Sequence, residues 1–176
     1  MSFIKFENVK ISGIACKVPK QKFSLEESNL FKSSKDIKKF SKITGIKEKR
    51  HADNSTTTLD LCLDSANQLI SELDWDKTEI DLIVFVTQTP DYPVPNNAII
   101  FQDRLGIKKD SMCFDVPLGC SGYVYGLSIV FSLMEKGFMK KALLAVGDTL
   151  SKQANPKDKS TYPLFGDAGS VTALEY

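Results

Sequence analysis

Two kinds of apolar pattern alternate along the chain. Short runs of strand length, rich in β-branched and aromatic residues, are separated by longer segments in which apolar residues recur every three or four positions. The first pattern is typical of β-strands and the second of amphipathic helices. Their alternation predicts an α/β fold in which helices connect the strands of a mostly parallel sheet.

The strand-like segments predict one sheet. The segment 9–18 alternates and ends before Pro19, whereas LIVFVT at 82–87 is continuously apolar, as expected of a central strand covered on both faces. The five predicted strands are 9–18, 82–87, 112–116, 141–146 and 170–176. We therefore predict a five-stranded sheet within a single domain at 1–176.

The helical segments are expected to cover both faces of this sheet. The clearest helix runs from Leu59 to Leu73, with its apolar side chains on one face. Asn96 is placed to cap a helix that ends at Gly106, and the most apolar helix is predicted at 123–134. Two short Lys-rich helices are predicted at 25–31 and 36–43, capped by Ser24 and Ser34.

Charge and hydropathy argue against several classes of partner. The chain has 23 Lys and Arg against 22 Asp and Glu, so its net charge of +1 provides no general attraction for nucleic acid or an anionic membrane. The apolar segment 123–134 is shorter than the roughly 18 residues of a membrane span. Charged Lys5, Glu7 and Lys10 interrupt the N-terminal segment where a signal peptide needs an apolar core. We expect a cytoplasmic protein with no nucleic-acid or membrane partner.

The cysteines do not form a recognisable metal or disulfide pattern. Cys16, Cys62, Cys113 and Cys120 are far apart, no CxxC pair occurs, and His51 is the only histidine. Zinc sites and disulfide frameworks need clustered ligands or paired thiols. We therefore expect no metal site.

One cysteine differs from the others in its context. In FDVPLGCSGYVYGL a strand ends, a turn follows, and Cys120 stands at the entrance to an apolar helix, where free N–H groups and the helix dipole stabilise a thiolate. The small residues Gly119, Ser121 and Gly122 are expected to let a carbonyl substrate approach. From these residues alone, Cys120 as a small apolar residue that fills a tight turn remains an alternative.

The same segment resembles the nucleophile segment of β-ketoacyl-acyl-carrier-protein synthase III, a condensing enzyme with the thiolase fold. Three further segments match that family in the same order: TGIKEKRHA at 44–52, TQTPDYPVP followed by NAIIFQDRLGI, and LFGDAGSVTAL at 164–174. Together they span nearly the whole chain. The resemblance implies a thiolase-like α/β domain that corresponds to the N-terminal half of the family.

The resemblance also implies roles for particular residues. Cys120 corresponds to the acyl acceptor, and Lys47 and Arg50 are candidates for phosphate contact, with solvated surface charge as the alternative. Val94 falls in a loop that lines the partner subunit's acyl pocket in the family's dimers. Gly166 is a candidate substrate-binding residue in a turn where backbones pass closely, and for this turn a structural role is favoured over a catalytic one. The implied substrate is an acyl thioester of acyl carrier protein or CoA, and no cofactor is implied.

Two departures from the family affect the expected activity. The family's catalytic histidine and asparagine lie in a second, similarly folded half and have no counterpart in this sequence, since His51 belongs to a different motif. The tryptophan and arginine that hold adenine in CoA-primed members correspond here to Lys39 and Ile43, and Trp75 does not align with them. We therefore expect weak CoA binding and a chain that needs a further half to condense its substrate.

The predicted function is that of an acyltransferase of fatty-acid or related acyl-chain biosynthesis. An acyl-cysteine would form first, and decarboxylative Claisen condensation with malonyl-acyl carrier protein would follow. The alternative is a non-catalytic truncated homologue that dimerises or binds acyl carrier protein. The expected assembly is a homodimer or a pairing with a second thiolase-like half.

Overall fold

The computed structural model describes residues 4–26 and 30–176, which form one sheet of five strands, one of two strands, and four α-helices. The strands are β1 (Lys10–Lys17), β2 (Lys22–Ser24), β3 (Glu48–Arg50), β4 (Leu82–Val86), β5 (Met112–Val116), β6 (Lys141–Asp148) and β7 (Ala168–Glu175). The helices are α1 (Ser34–Thr44), α2 (Thr58–Glu72), α3 (Asn97–Leu105) and α4 (Gly122–Met134).

The larger sheet has the order β1-β7-β6-β4-β5. Strand β4 pairs in parallel with β5 and β6, whereas β7 is antiparallel to both β6 and β1. Four strands therefore point the same way and only β7 is reversed. The five predicted strands are confirmed, but the sheet is mixed because no α-helix lies between β6 and β7, and the chain re-enters the sheet at the end where it left.

Helices lie on both faces of this sheet, as predicted. Helices α2 and α3 pack on one face, where Leu69 and Phe101 share a core with Phe85. Helix α4 packs on the other face, where Val130 and Met134 share a core with other sheet residues. All five residues of β4 are buried, which confirms the prediction of a central strand.

The helix ends follow from their capping residues. Thr57 and Asp60 form a capping box at the start of α2. Asn96 caps α3, and Gly106 ends it in the left-handed conformation with φ of 69°, as the sequence predicts. Among the described residues, no helix is both long and apolar enough to cross a membrane.

The region before α2 differs most from the prediction. Strands β2 and β3 form a small antiparallel sheet that was not predicted. The helix predicted at 25–31 falls partly outside the described residues, and its first two residues, Leu25 and Glu26, form a turn after β2 rather than a helix. The next helix is confirmed, but Ser33 rather than Ser34 caps it, because Ser33 is extended and its hydroxyl accepts from the N–H of Asp36.

Candidate active site

Cys120 lies in the turn that joins β5 to α4, and its side chain is exposed. The N–H of Gly122 donates to the carbonyl of Gly119 at 2.7 Å, which closes the turn around Cys120. No side chain caps the N-terminus of α4, and no acidic residue lies in its first turn. The positive end of the helix dipole is therefore not neutralised locally beside this thiol. Its exposure does not fit a small apolar residue that fills a turn.

The other thiols are in different environments. Cys62 is buried, and burial raises its pKa. Burial also raises the pKa of the half-buried Cys113 to about 11. Cys16 is exposed on the edge strand β1, so Cys16 and Cys120 are the two exposed thiols and only Cys120 lies at a helix N-terminus. Within residues 4–26 and 30–176, no three His, Cys, Asp or Glu side chains form a group that could hold a metal ion.

The glycines around Cys120 allow close packing against β4 and the residues after it. A Cβ on Gly122 would lie 2.5 Å from Cγ1 of Val86, and one on Gly119 would lie 2.5 Å from Oε1 of Gln88. At both positions a side chain would therefore point toward the end of β4 or the residues after it. These two glycines let the turn and α4 approach β4, and the expectation that they also let a carbonyl substrate approach stays a prediction.

A carboxylate that sequence reasoning missed fixes the chain beside this turn. Oδ1 of Asp148, the last residue of β6, accepts from the hydroxyl of Thr87 at 2.9 Å, the N–H of Gln88 at 2.7 Å and the N–H of Thr89 at 3.1 Å. These groups lie at the carboxyl ends of β4 and β6, where ligands bind on open α/β sheets. The available sequence signal was an acidic residue that ends the apolar run KALLAVGD.

Three buried hydroxyls continue this polar network. Oγ1 of Thr58, at the start of α2, lies 2.8 Å from Oγ1 of Thr89 and 3.1 Å from Oγ1 of Thr149. The N–H of Thr149 also donates to Oγ1 of Thr89 at 2.9 Å. The network therefore joins α2 to the ends of β4 and β6 and makes this edge of the sheet rigid.

Val94 lies on a loop that is firmly held at its base. The N–H of Asp91 donates to Oδ1 of Asn97 at 3.1 Å, and Asp115 accepts from the N–H groups of Asn97 and Ala98 at 2.8 and 2.7 Å. Val94 itself is 85% exposed. The loop thus presents an apolar side chain to solvent. A groove of about 690 Å³ beside it, lined by α3 residues such as Ile99, does not include Cys120.

The two candidate phosphate-binding residues lie apart from Cys120 in the fold. Lys47 is exposed and lines a groove of about 410 Å³ between α1 and the small sheet, together with Lys38 and Ser41. The guanidinium of Arg50 donates to the carbonyls of Pro19 and Lys20 at 3.2 and 3.0 Å. Arg50 is therefore already engaged with the chain, whereas Lys47 is the more available cation.

The single histidine is packed within an aromatic cluster. The ring of His51 stacks on Phe23 with centroids 4.6 Å apart and meets Tyr162 edge-on at 5.5 Å. Burial and the neighbouring Lys49 lower the pKa of His51. Burial also lowers the pKa of Lys49 to about 8, although Asp167 opposes this, and its Nζ lies 4.3 Å from the ring centroid of Tyr162. These contacts place His51 in a packing role.

The turn that contains Gly166 is held by buried hydrogen bonds. Asp167 is buried and accepts from the N–H groups of Ala52 at 2.7 Å and Ser151 at 3.0 Å. Gly166 is exposed, and a Cβ there would lie 3.3 Å from Cβ of Lys49. The backbone of this turn passes close to the segment that contains Lys49 and Arg50, and the hydrogen bonds described for the turn join it to other parts of the same chain.

Comparison with known proteins gives a consistent result. Residues 114–176 match the family model of 3-oxoacyl-[acyl-carrier-protein (ACP)] synthase III. The chain is 36% identical over 174 residues to a putative 3-oxoacyl-[acyl-carrier-protein] synthase 3 of Campylobacter jejuni, covering 97% of this chain and 49% of that protein. It is 37% identical over 169 residues to a beta-ketoacyl-[acyl-carrier-protein] synthase III of Lactobacillus helveticus, covering 96% of this chain and 51% of the relative.

Solved structures agree with the sequence comparison. The crystal structure of a 3-oxoacyl-(acyl-carrier protein) synthase from Burkholderia xenovorans superposes with a TM-score of 0.93 at 37% identity, covering 97% of this chain and 49% of that one. A synthase III from Aquifex aeolicus gives a TM-score of 0.86 at 29% identity, covering 96% and 54%. The thiolase-like α/β fold is confirmed, and the chain spans about half the length of the relatives it matches.

Proposed function

Because the chain belongs to the 3-oxoacyl-[acyl-carrier-protein] synthase III family, we propose that it accepts an acyl group from a thioester onto Cys120. The exposed thiol at the uncapped N-terminus of α4 carries this proposal. The thiolate attacks the acyl carbonyl carbon, a new carbon–sulfur bond forms, and the bond to the carrier's sulfur breaks. The carrier leaves as a thiolate and takes up a proton from water.

A stripe of lysines supports a protein carrier rather than CoA. Lys35, Lys38, Lys39 and Lys42 follow the i, i+3, i+4, i+7 spacing that places them on one face of α1, and all four are exposed. Among the described residues none of them forms an ion pair. Like charges at this spacing destabilise a helix, and an acidic partner surface would offset that repulsion.

The lysine stripe can be tested by charge reversal. The variant K38E/K39E/K42E is expected to weaken binding of an acyl carrier protein at least tenfold at low salt, since several attractive pairs become repulsive. The control K20E/K109E/K157E has the same net charge but alters exposed lysines elsewhere. Equal loss in both variants, measured by calorimetry, would show that only overall charge matters. Micromolar binding of CoA itself would contradict the preference for a protein carrier.

The outer side of α4 supports pairing with a further protein surface. Helix α4 is the most apolar helix, yet Val124 is 65% and Tyr125 57% exposed, and Phe138 just beyond it is 90% exposed. An apolar face of this kind marks an interaction site. We assign it to a second thiolase-like half, and V124D/Y125D is expected to abolish co-elution with such a half. The control I43D/Y92D also replaces an aliphatic residue and a tyrosine that are exposed, 74% and 58%, but lie outside α4, and equal loss in this variant would contradict the assignment.

The condensation step is not assigned to this chain alone. Decarboxylation of a malonyl thioester forms an enolate, whose oxygen needs positioned hydrogen-bond donors worth about 3 kcal/mol each. The one histidine of the chain, His51, is packed between Phe23 and Tyr162. The structure therefore favours acyl transfer to Cys120 without condensation by these 176 residues.

The packing of His51 also supports a second candidate function. A non-catalytic homologue would keep the lysine stripe and the α4 face as binding surfaces and would not use Cys120. The relative reactivity of the four thiols distinguishes the acyl-acceptor function from the non-catalytic function.

Limiting iodoacetamide at neutral pH followed by peptide mapping tests the acyl-acceptor role. Cys120 should label ahead of Cys16, the other exposed thiol, because only Cys120 lies at a helix N-terminus, a position typical of reactive cysteines. Buried Cys62 serves as the control that the protein stays folded, since it should label last. Faster labelling of Cys16 than of Cys120 would support the non-catalytic function.

A further inference from the structure

The turn that carries Cys120 rests on the residues that follow β4. Gly119 lies against the side chain of Gln88, so closely that a Cβ on Gly119 would be 2.5 Å from Oε1 and 2.8 Å from Cδ of Gln88. Gly122 lies in the same way against Val86. The glycines on both sides of Cys120 therefore pack against the segment 86–88.

That segment is held by one carboxylate oxygen. Oδ1 of Asp148 accepts from two backbone N–H groups, those of Gln88 and Thr89, and from two hydroxyls, those of Thr87 and Thr89, at 2.7 to 3.1 Å. Hydrogen bonds to a carboxylate are about twice as strong as neutral ones. Asp148 thus fixes the backbone of Gln88, whose side chain lies against the Cys120 turn.

We infer that Asp148 is a positioning residue that sets the reactivity of Cys120 through Gln88. The inference rests on the proposed role of Cys120 as acyl acceptor and adds the residues that hold it in place. The electrostatic effect of a helix N-terminus falls off within its first turn, so a small shift of the Cys120 turn changes how closely its sulfur lies to the N-terminus of α4. Asp148 would not touch the acyl group.

The test measures the rate of iodoacetamide labelling of Cys120 relative to Cys16 in the same sample. In Q88A and D148A we expect this ratio to fall about fivefold, since displacements of around 1 Å are known to cost more than this in catalysis. D148N keeps one acceptor oxygen and is expected to restore part of the ratio. Gln88 is exposed, so Q88A remains informative if D148A does not fold.

D81A is the matched control for loss of stability. Asp81 also binds backbone N–H groups of the sheet, those of Lys140 and Lys141, but at the opposite ends of β4 and β6. The D81A variant should lower the free energy of unfolding without lowering the ratio of the Cys120 labelling rate to the Cys16 labelling rate. An unchanged ratio in both Q88A and D148A, or an equal fall in D81A, would overturn the positioning role.

Acyl transfer is measured separately on the same proteins. If the labelling ratio falls in Q88A but no acyl adduct forms on the unaltered chain, the positioning role stands and the acyl-acceptor role fails. If adducts form equally fast in all variants and the ratio is unchanged, the acyl-acceptor role stands and the positioning role fails.

Discussion

The backbone of Gly169 in β7 lies directly against the backbone of Cys62 in α2. A Cβ on Gly169 would be 2.7 Å from the nitrogen of Cys62 and equally close to Cβ of Leu61. Because the nearest atoms include the backbone of a helix, neither side can yield without moving α2 away from the sheet. This contact fixes the distance between α2 and β7.

We expect G169A to lower the free energy of unfolding by about 2–3 kcal/mol, the upper range for overpacking. G166A, in the turn just before β7, is the control, since its nearest neighbour, Cβ of Lys49, is 3.3 Å away and Gly166 is exposed. It should cost less than about 1 kcal/mol. Urea unfolding that gives equal losses for the two variants would contradict the close contact of α2 and β7.

Asp81 should make the fold sensitive to acid. Burial tends to raise the pKa of Asp81, but hydrogen bonds from Lys108 and from the N–H groups of Lys140 and Lys141 outweigh it and lower the pKa below its ordinary 3.8. A lowered folded-state pKa stabilises the protein above pH 3.8, and this stabilisation is lost as the pH falls through the folded-state value.

The difference in unfolding free energy between the unaltered chain and D81N should therefore be about 1–2 kcal/mol near pH 7 and shrink below pH 4. D110N alters an exposed aspartate for comparison and should show no such trend. A difference that is constant from pH 3 to pH 7 would disprove the assignment.

Lys49 should add a second pH dependence of the same sign, at alkaline rather than acid pH. Burial lowers its pKa from 10.5 to about 8, although Asp167 opposes the shift. Between these values the folded protein binds fewer protons than the unfolded chain, so stability attributable to Lys49 rises with pH.

The stability of the unaltered chain relative to K49M should increase from pH 7.5 to 9.5 by on the order of 1–2 kcal/mol. K47M, which alters the exposed Lys47 two residues earlier, controls for a general loss of positive charge. If the relative stability falls over that range, Lys49 is not buried as described.

Much of the fold followed from local pattern, and the failures have identifiable causes. The continuous apolar run of β4 was enough to predict a buried central strand, and Asn96 and Gly106 were enough to predict the two ends of α3. Burial and capping are encoded within a few neighbouring residues. Strands β2 and β3 were missed since each has three residues and their pairing joins Lys22 to Arg50, far apart in the chain. The reversal of β7 likewise depends on a connection without periodicity.

The residues of the candidate site likewise fall into those that the sequence identified and those that it did not. Cys120 was identifiable because its turn and helix lie next to it in the sequence, and the motif resembles a known family. Asp148 was not identified, since its partners Thr87, Gln88 and Thr89 precede it by about sixty positions and only the parallel pairing of β4 with β6 brings them together. The packing role of Gly119 and Gly122 was not predicted, because only the fold shows which side of the turn faces β4.

The central claim is that Cys120 accepts the acyl group, and intact-mass spectrometry tests it most directly. After mixing with an acyl-acyl-carrier-protein thioester, the chain should gain one acyl mass, C16A should gain it equally, and C120A should gain none. Addition of malonyl-acyl carrier protein should leave the adduct in place, because under the proposed function the chain transfers the acyl group without condensing it, with His51 packed between Phe23 and Tyr162. An adduct that forms equally on C120A, or no adduct on the folded unaltered chain, would contradict the account.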